Sequence, residues 1–262
     1  MSEVWLAIQT NFVGIIMALA RCSGIFSFNP IFGRSNVPSF VKASMTFIMA
    51  LVMAAGGYVE YTMPSGIFPF VFDLVKELLV GAVLGFFVNL MLQVFSLAGE
   101  VSDMQLGLSM AKSYDPTFGN AGITTQLYSY WFMLYFFAVG GHLSYIELFA
   151  VSYETIPVGF ENFNINIAYI LVRYFQTVLT LGLKLAMPVV AASLVTEFCV
   201  GVMMKAVPTI HVFVINIQIK MLVGFVVLAA SCGVVSEFME EIMNLLFYNL
   251  NGLVEQMVIT GG

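Results

Sequence analysis

The chain has 262 residues, of which 60% are hydrophobic and only 9% charged, with a formal net charge of −6 and a mean hydropathy of +0.97. A soluble globular chain carries about 25% charged residues, so this composition calls for lipid as solvent and leaves no interval that could bury a sizeable water-soluble core. The acidic balance argues against nucleic acid as a partner.

Met1-Ser2-Glu3 lacks a basic leader, so the first apolar run is expected to be retained. Val4–Ala20 is uncharged and ends at Arg21, with Cys22–Gly33 apolar again. Two readings stay open here. Either one span ends at Arg21, which snorkels to the interface, or a longer helix over Asn11–Ile31 buries Arg21 against protein. Asn29-Pro30 breaks the run, and Arg34, Pro38 and Lys42 form a basic turn. Ala43–Val59 is a second span, ended by Gly56-Gly57. Asp73, Lys76 and Glu77 make a small charge cluster in which Asp73 pairs locally with Lys76. Leu78–Gly99 is the third span, and its Gly81 and Gly85 permit close helix packing.

Between Gly99 and Pro116 lies the most polar interval between two long apolar runs. It begins as a helix, with Glu100 and Asp103 as i,i+3 neighbours, turns glycine- and methionine-rich, and stops at Asp115-Pro116. Such backbone either hangs in water or lines a wet cavity within protein. Leu127–Ile146 is an aromatic fourth span with Gly140-Gly141-His142 near its far end. Ile167–Val195 carries Arg173, Lys184 and Pro188 and is expected to be kinked or broken at the proline. Glu197, Gly201, Lys205 and Pro208 mark a turn, and Val212–Ser236, with Asn216, Gln218 and Lys220, is the sixth segment. Glu237–Gln256 reads as an amphipathic end helix with a solvated acidic face. The three cysteines, Cys22, Cys199 and Cys232, read as small buried hydrophobes. The loops holding Arg34 and Lys42, Lys112, and Lys205 carry the connecting-loop cations, which places them on the cytoplasmic side and both termini outside.

No catalytic constellation is visible: the chain has no phosphate-cradling glycine loop, no paired histidines and no serine elbow. An enzyme is therefore not expected, nor a metal or cofactor. In order and spacing, however, the residues resemble the FliR/SctT family of type III secretion export-gate membrane proteins, flagellar and injectisome. The resemblance covers nearly the whole chain. It is carried by Arg21 with Pro30-Ile31-Phe32-Gly33, by Gly99-Glu100 with Gln105-Leu106-Gly107-Leu108 and Asp115-Pro116, and by Gly141-His142. It continues through Ile156-Pro157-Val158-Gly159, Leu185-Ala186-Met187-Pro188, Gly201, Pro208 and Val212-Phe213-Val214. Thr209 departs from it, since glutamine commonly follows that proline.

The resemblance implies an all-α polytopic membrane protein of about six hydrophobic segments, several broken into hairpins, forming a single export-gate domain over residues 1–262. It implies assembly with FliP-type and FliQ-type subunits into a helical ring in the bacterial inner membrane, an FlhB-type switch protein at the entrance, and unfolded flagellar or effector proteins as cargo. In the family the mid-chain loop helps plug the pore, which assigns that role to Leu106, Gly107, Leu108, Ser109, Met110, Phe118 and Gly119. Loop positioning or subunit contact falls to Glu100, Asp103, Gln105, Asp115 and Pro116. Arg21, Arg173, Lys184 and Lys220 are charges in apolar stretches that need partners other than lipid. The rival reading is a small-molecule secondary transporter, which would carry inverted repeats and work without companion subunits.

Overall fold

A computed structural model describes residues 12–28, 37–61, 64–109, 122–160, 166–206 and 212–257. The described residues form helices α1 (Phe12–Phe28), α2 (Ser39–Ala55), α3 (Ile67–Leu106), α4 (Ile123–Ala138), α5 (Gly141–Thr155), α6 (Asn166–Ala206), α7 (Val212–Ala230) and α8 (Cys232–Met257), with no strand among them. The all-α expectation holds.

Residues 67–106 and 167–205 form helices long and apolar enough to cross a membrane, and the number rises to four if each broken pair, α4 with α5 and α7 with α8, counts as one span. The apolar α1 and α2 are shorter, at 17 residues each. The expected turns at Asn29-Pro30 and Pro208, and the loop cations Arg34 and Lys112, lie outside the described residues.

Several boundaries differ from expectation. The third segment runs as one 40-residue helix, Ile67–Leu106, which takes in the charge cluster of Asp73, Lys76 and Glu77 at its start and the expected helical beginning of the mid-chain interval at its end. The fourth run is not one continuous helix: α4 ends at Ala138, and Gly140 adopts a φ of +78° that a side chain would resist, so the run is a pair bent by 72°. The fifth is unbroken through Pro188 and past Glu197 to Ala206. There the proline leaves only the Lys184 carbonyl without its helical donor, a loss that a long membrane helix tolerates. Cys22 is buried, but Cys199 and Cys232 are exposed.

The described chain divides into two compact units. The first comprises residues up to 91, 140–173 and 245 onward; the second comprises 92–139 and 174–244.

In the first unit α1 and α2 pack together, and α1 also meets α3 at unusually close range. A Cβ at Gly85 would stand 2.6 Å from the Ile25 carbonyl oxygen, and one at Gly81 would run into the Arg21 carbonyl. The expected glycine contact is therefore real, and Gly24 answers it from α1. Phe26 and Phe149 pack at 5.7 Å between ring centres. Arg21 lies inside α1, so the longer-helix reading is the correct one, and it is fully buried. Its Nε donates to Glu77 Oε2 at 2.7 Å, Nη2 to Glu77 Oε1 at 3.1 Å and to the Ile156 carbonyl at 2.9 Å, and Nη1 to the Ser152 carbonyl at 2.8 Å. Tyr153 lies under the guanidinium at 4.2 Å. A bidentate pair with two further donors placed on carbonyls at the end of α5 uses four of the five guanidinium N–H groups and so compensates a buried charge.

The same unit carries a smaller polar network. Lys76 donates to Asp73 at 3.1 Å, as expected, and to the Phe160 carbonyl at 2.9 Å. The Tyr61 hydroxyl donates to Asp73 at 2.9 Å; burial and then this bond push the phenol up to about 12, so it remains a donor.

In the second unit, Phe95 of α3 stacks on Phe132 of α4 at 4.5 Å. Val178, Leu181, Leu185, Ala186 and Val189 of α6 are buried. Along the part of α8 in this unit, Val235, Met239, Ile242 and Met243 are buried while Glu237, Glu240 and Glu241 face outward, the expected amphipathic division.

Candidate functional site at the base of the mid-chain loop

A helix start leaves its first backbone N–H groups without partners, and Ser, Thr, Asp or Asn at the preceding position usually accepts from them. At the start of α4 that position is Gly122, with φ −70° and ψ 167° and no side chain to offer. Asp103 serves instead, from across the loop. The Thr124 N–H donates to Asp103 Oδ1 at 3.0 Å, and the Thr125 hydroxyl reaches Oδ2 at 3.5 Å. The Asp103 side chain is fully buried, and among the described residues it makes no ion pair. The carboxylate faces the start of α4, where the backbone N–H groups point outward.

Close approach of α3 to α4 is what makes this possible. Gly99 lies one helical turn before Asp103 and so on the same face. A Cβ at Gly99 would run into the Thr125 Cα and come within 2.5 Å of its nitrogen. Ser102, also buried, turns its hydroxyl back to the Ala98 carbonyl at 2.7 Å and leaves Asp103 the α4 donors. Among the described residues the buried Thr124 hydroxyl has no partner.

The departing end of α3 is held as well. Gly107 takes φ +76°, the left-handed conformation that closes helices, with its N–H 3.3 Å from the Met104 carbonyl. The Gln105 carbonyl, which has no helical donor left, accepts from Ser193 Oγ of α6 at 3.0 Å. Leu106 fills the space over Gly224 of α7, where an added Cβ would collide with it. Leu108 is buried too.

The structure therefore separates residues that the sequence placed together. Asp103, Gln105, Leu106, Gly107 and Leu108 converge on the loop base, whereas Glu100 is exposed. Ser109 is half-buried; Met110, Asp115, Pro116, Phe118 and Gly119 lie outside the described residues. Of the charges in apolar stretches, Arg21 and Lys220 find partners within the chain, Glu77 and Glu197. Arg173 and Lys184 are exposed.

Sequence reasoning missed Glu77, Thr124, Thr125, Ser193 and Gly224. Two signals were present. Glu77, Gly81 and Gly85 recur every four residues, so the acid shares the face of closest packing and not a solvated cluster. And Gly122-Ile123-Thr124-Thr125 opens a helix with no local cap, which requires an acceptor from elsewhere.

Chemically the site offers acceptors, caps and apolar fillers. Among the described residues no group of three His, Cys, Asp or Glu could hold a metal. An open apolar groove of about 630 Å³ between α6 and α7, lined by residues such as Ala191, Val195, Cys199, Ile219 and Val223, adds packing surface to this unit.

The family described as bacterial export proteins, family 1, matches residues 12–246. The flagellar biosynthetic protein FliR of Escherichia coli (strain K12) is 26% identical over 263 residues, covering 98% of this chain and 97% of that protein. FliR of Bacillus subtilis (strain 168) is 24% identical over 250 residues, 93% of this chain and 95% of its own length. The surface presentation of antigens protein SpaR of Shigella flexneri is 26% identical over 213 residues, 79% of this chain and 80% of that protein. A match spanning nearly all the described helices, with relatives alike from end to end, means that the chain belongs to the bacterial export proteins of family 1.

Proposed function

We propose that this chain is a subunit of the type III protein export gate of the bacterial inner membrane. With FliP-type and FliQ-type subunits it forms the channel through which unfolded flagellar or effector proteins pass, next to an FlhB-type switch protein. All 262 residues serve this one gate domain, and the mid-chain loop occludes the pore. The observation that carries the reading is the loop base: two apolar helices, α3 and α4, are tied to each other where the chain leaves one and enters the next. Met110 and Phe118 supply apolar bulk that excludes water from a constriction, and methionine adapts its shape to one. Leu106 and Leu108, packed into the second unit, are the root of that seal.

The test is a deletion of Ser109–Ser113 in cells carrying the complete gate. Small-ion permeability rises while the gate still assembles, because the deletion spares the helices. A deletion mutant that assembles normally and conducts no more than wild type would remove the plug. Copurification with P- and Q-type subunits checks the partners. Full monodispersity and function as a lone protein would favour a secondary transporter instead.

A further inference from the structure

We infer that Asp103 is a positioning residue for the occluded state: it holds the start of α4 against the end of α3, and so sets where the chain between them is presented. The inference rests on the export-gate reading above and narrows the loop-positioning role expected of Glu100 and Asp103 to Asp103 alone. Four observations carry it. The carboxylate is fully buried yet is spent on the first turn of a helix 21 residues away in the chain. That helix begins at a glycine without a capping side chain. Gly99 removes the one Cβ that would hold the two helices apart. Finally, among the described residues the carboxylate meets only the Thr124 N–H and, at 3.5 Å, the Thr125 hydroxyl, while the Thr124 hydroxyl stays unpaired, so no dense polar network would survive the loss of Asp103.

A helix cap and a tether are different things, and the geometry lets them be separated. Asparagine at position 103 keeps an acceptor oxygen for the Thr124 N–H, whereas alanine removes cap and tether together. A serine at Gly122 can supply a local cap, since φ −70° suits any residue, but it cannot reach back to α3. Glu100, exposed one turn from Asp103, is the control for charge alone.

The experiment compares small-ion leak and gate assembly for Asp103→Ala, Asp103→Asn, Glu100→Gln, Asp103→Ala with Gly122→Ser, and the Ser109–Ser113 deletion, all in the complete gate. The inference expects Asp103→Ala to raise leak several-fold, towards the deletion, at wild-type assembly. Asp103→Asn and Glu100→Gln stay near wild type. The double variant regains thermal stability lost by Asp103→Ala but still leaks, a split that a merely structural cap does not produce. If the deletion leaks and Asp103→Ala stays tight, the inference falls and the plug stands. Recovery of both stability and tightness in the double variant also overturns it, reducing Asp103 to a cap. Should Asp103→Ala fail to assemble, Asp103→Ser decides, since its short side chain folds back on its own helix, as Ser102 does on Ala98, and cannot reach the Thr124 N–H: a tight, assembled Asp103→Ser gate overturns the inference and a leaky one supports it. A deletion mutant as tight as wild type instead sinks the plug itself, and with it this role.

Discussion

Among the described residues each unit buries one carboxylate completely, and the two are satisfied in opposite ways. Glu77 in the first unit meets a guanidinium bidentately, and that guanidinium also grips two carbonyls near the end of α5. Asp103 in the second unit meets backbone and hydroxyl donors at a helix start. The first arrangement binds three helices through full charges whose separation leaves an unpaired ion in an apolar interior. The second binds two helices through hydrogen bonds and a dipole, each worth far less. The first is an all-or-nothing lock, and the second a modest tether at the base of the mid-chain loop.

The sharpest way to break this contrast is to remove Arg21. Arg21→Met strands Glu77 in the core and is expected to cost about 3–5 kcal/mol, read as a collapse of the thermal unfolding midpoint in detergent. Arg21→Met with Glu77→Leu recovers much of that loss, though not all, because the Ser152 and Ile156 carbonyls lose their donor. If the double variant is no better than the single one, the pair is not the lock.

A backbone test of the same region comes next. Gly81→Val forces α1 from α3 through the Arg21 carbonyl and is expected to cost about 1–3 kcal/mol as an overpacked core does. A midpoint unchanged by this variant would show that the helices do not approach so closely.

In the second unit, Asp103→Ala is expected to lower stability by about 0.5–2 kcal/mol, the range for losing a helix cap, with Asp103→Asn nearly neutral. A loss as large as that of Arg21→Met would erase the distinction between lock and tether. The smallest effect belongs to Lys220, whose partner Glu197 is 45% exposed. Lys220→Met is expected to cost about 0–1 kcal/mol and to cost less as salt rises, which a salt series of melting curves measures directly.

Residue order already showed that Arg21 lies in an apolar run, that Gly81 and Gly85 invite a neighbouring helix, and that Asp73 reaches Lys76. These are local facts, readable from spacing along one helix. Glu77 escaped because its charge neighbours in sequence suggested a surface cluster, while its helical face pointed to the glycines. Asp103 and Glu100 looked like equals three residues apart, and only packing distinguished a buried cap from an exposed acid.

The length of α6 was misjudged for a related reason. A charge or a proline ends a helix in water more readily than in apolar surroundings, where every freed backbone group lacks a solvent partner and continuing the helix is the less costly course. The sequence by itself determined the solvent this protein needs, its all-helical character and its family, because composition and motif order express these directly. Only the tertiary structure decided that Arg21 pairs with Glu77 and that Asp103 caps α4, because a buried charge is settled by whichever donor or acceptor three-dimensional packing brings within reach.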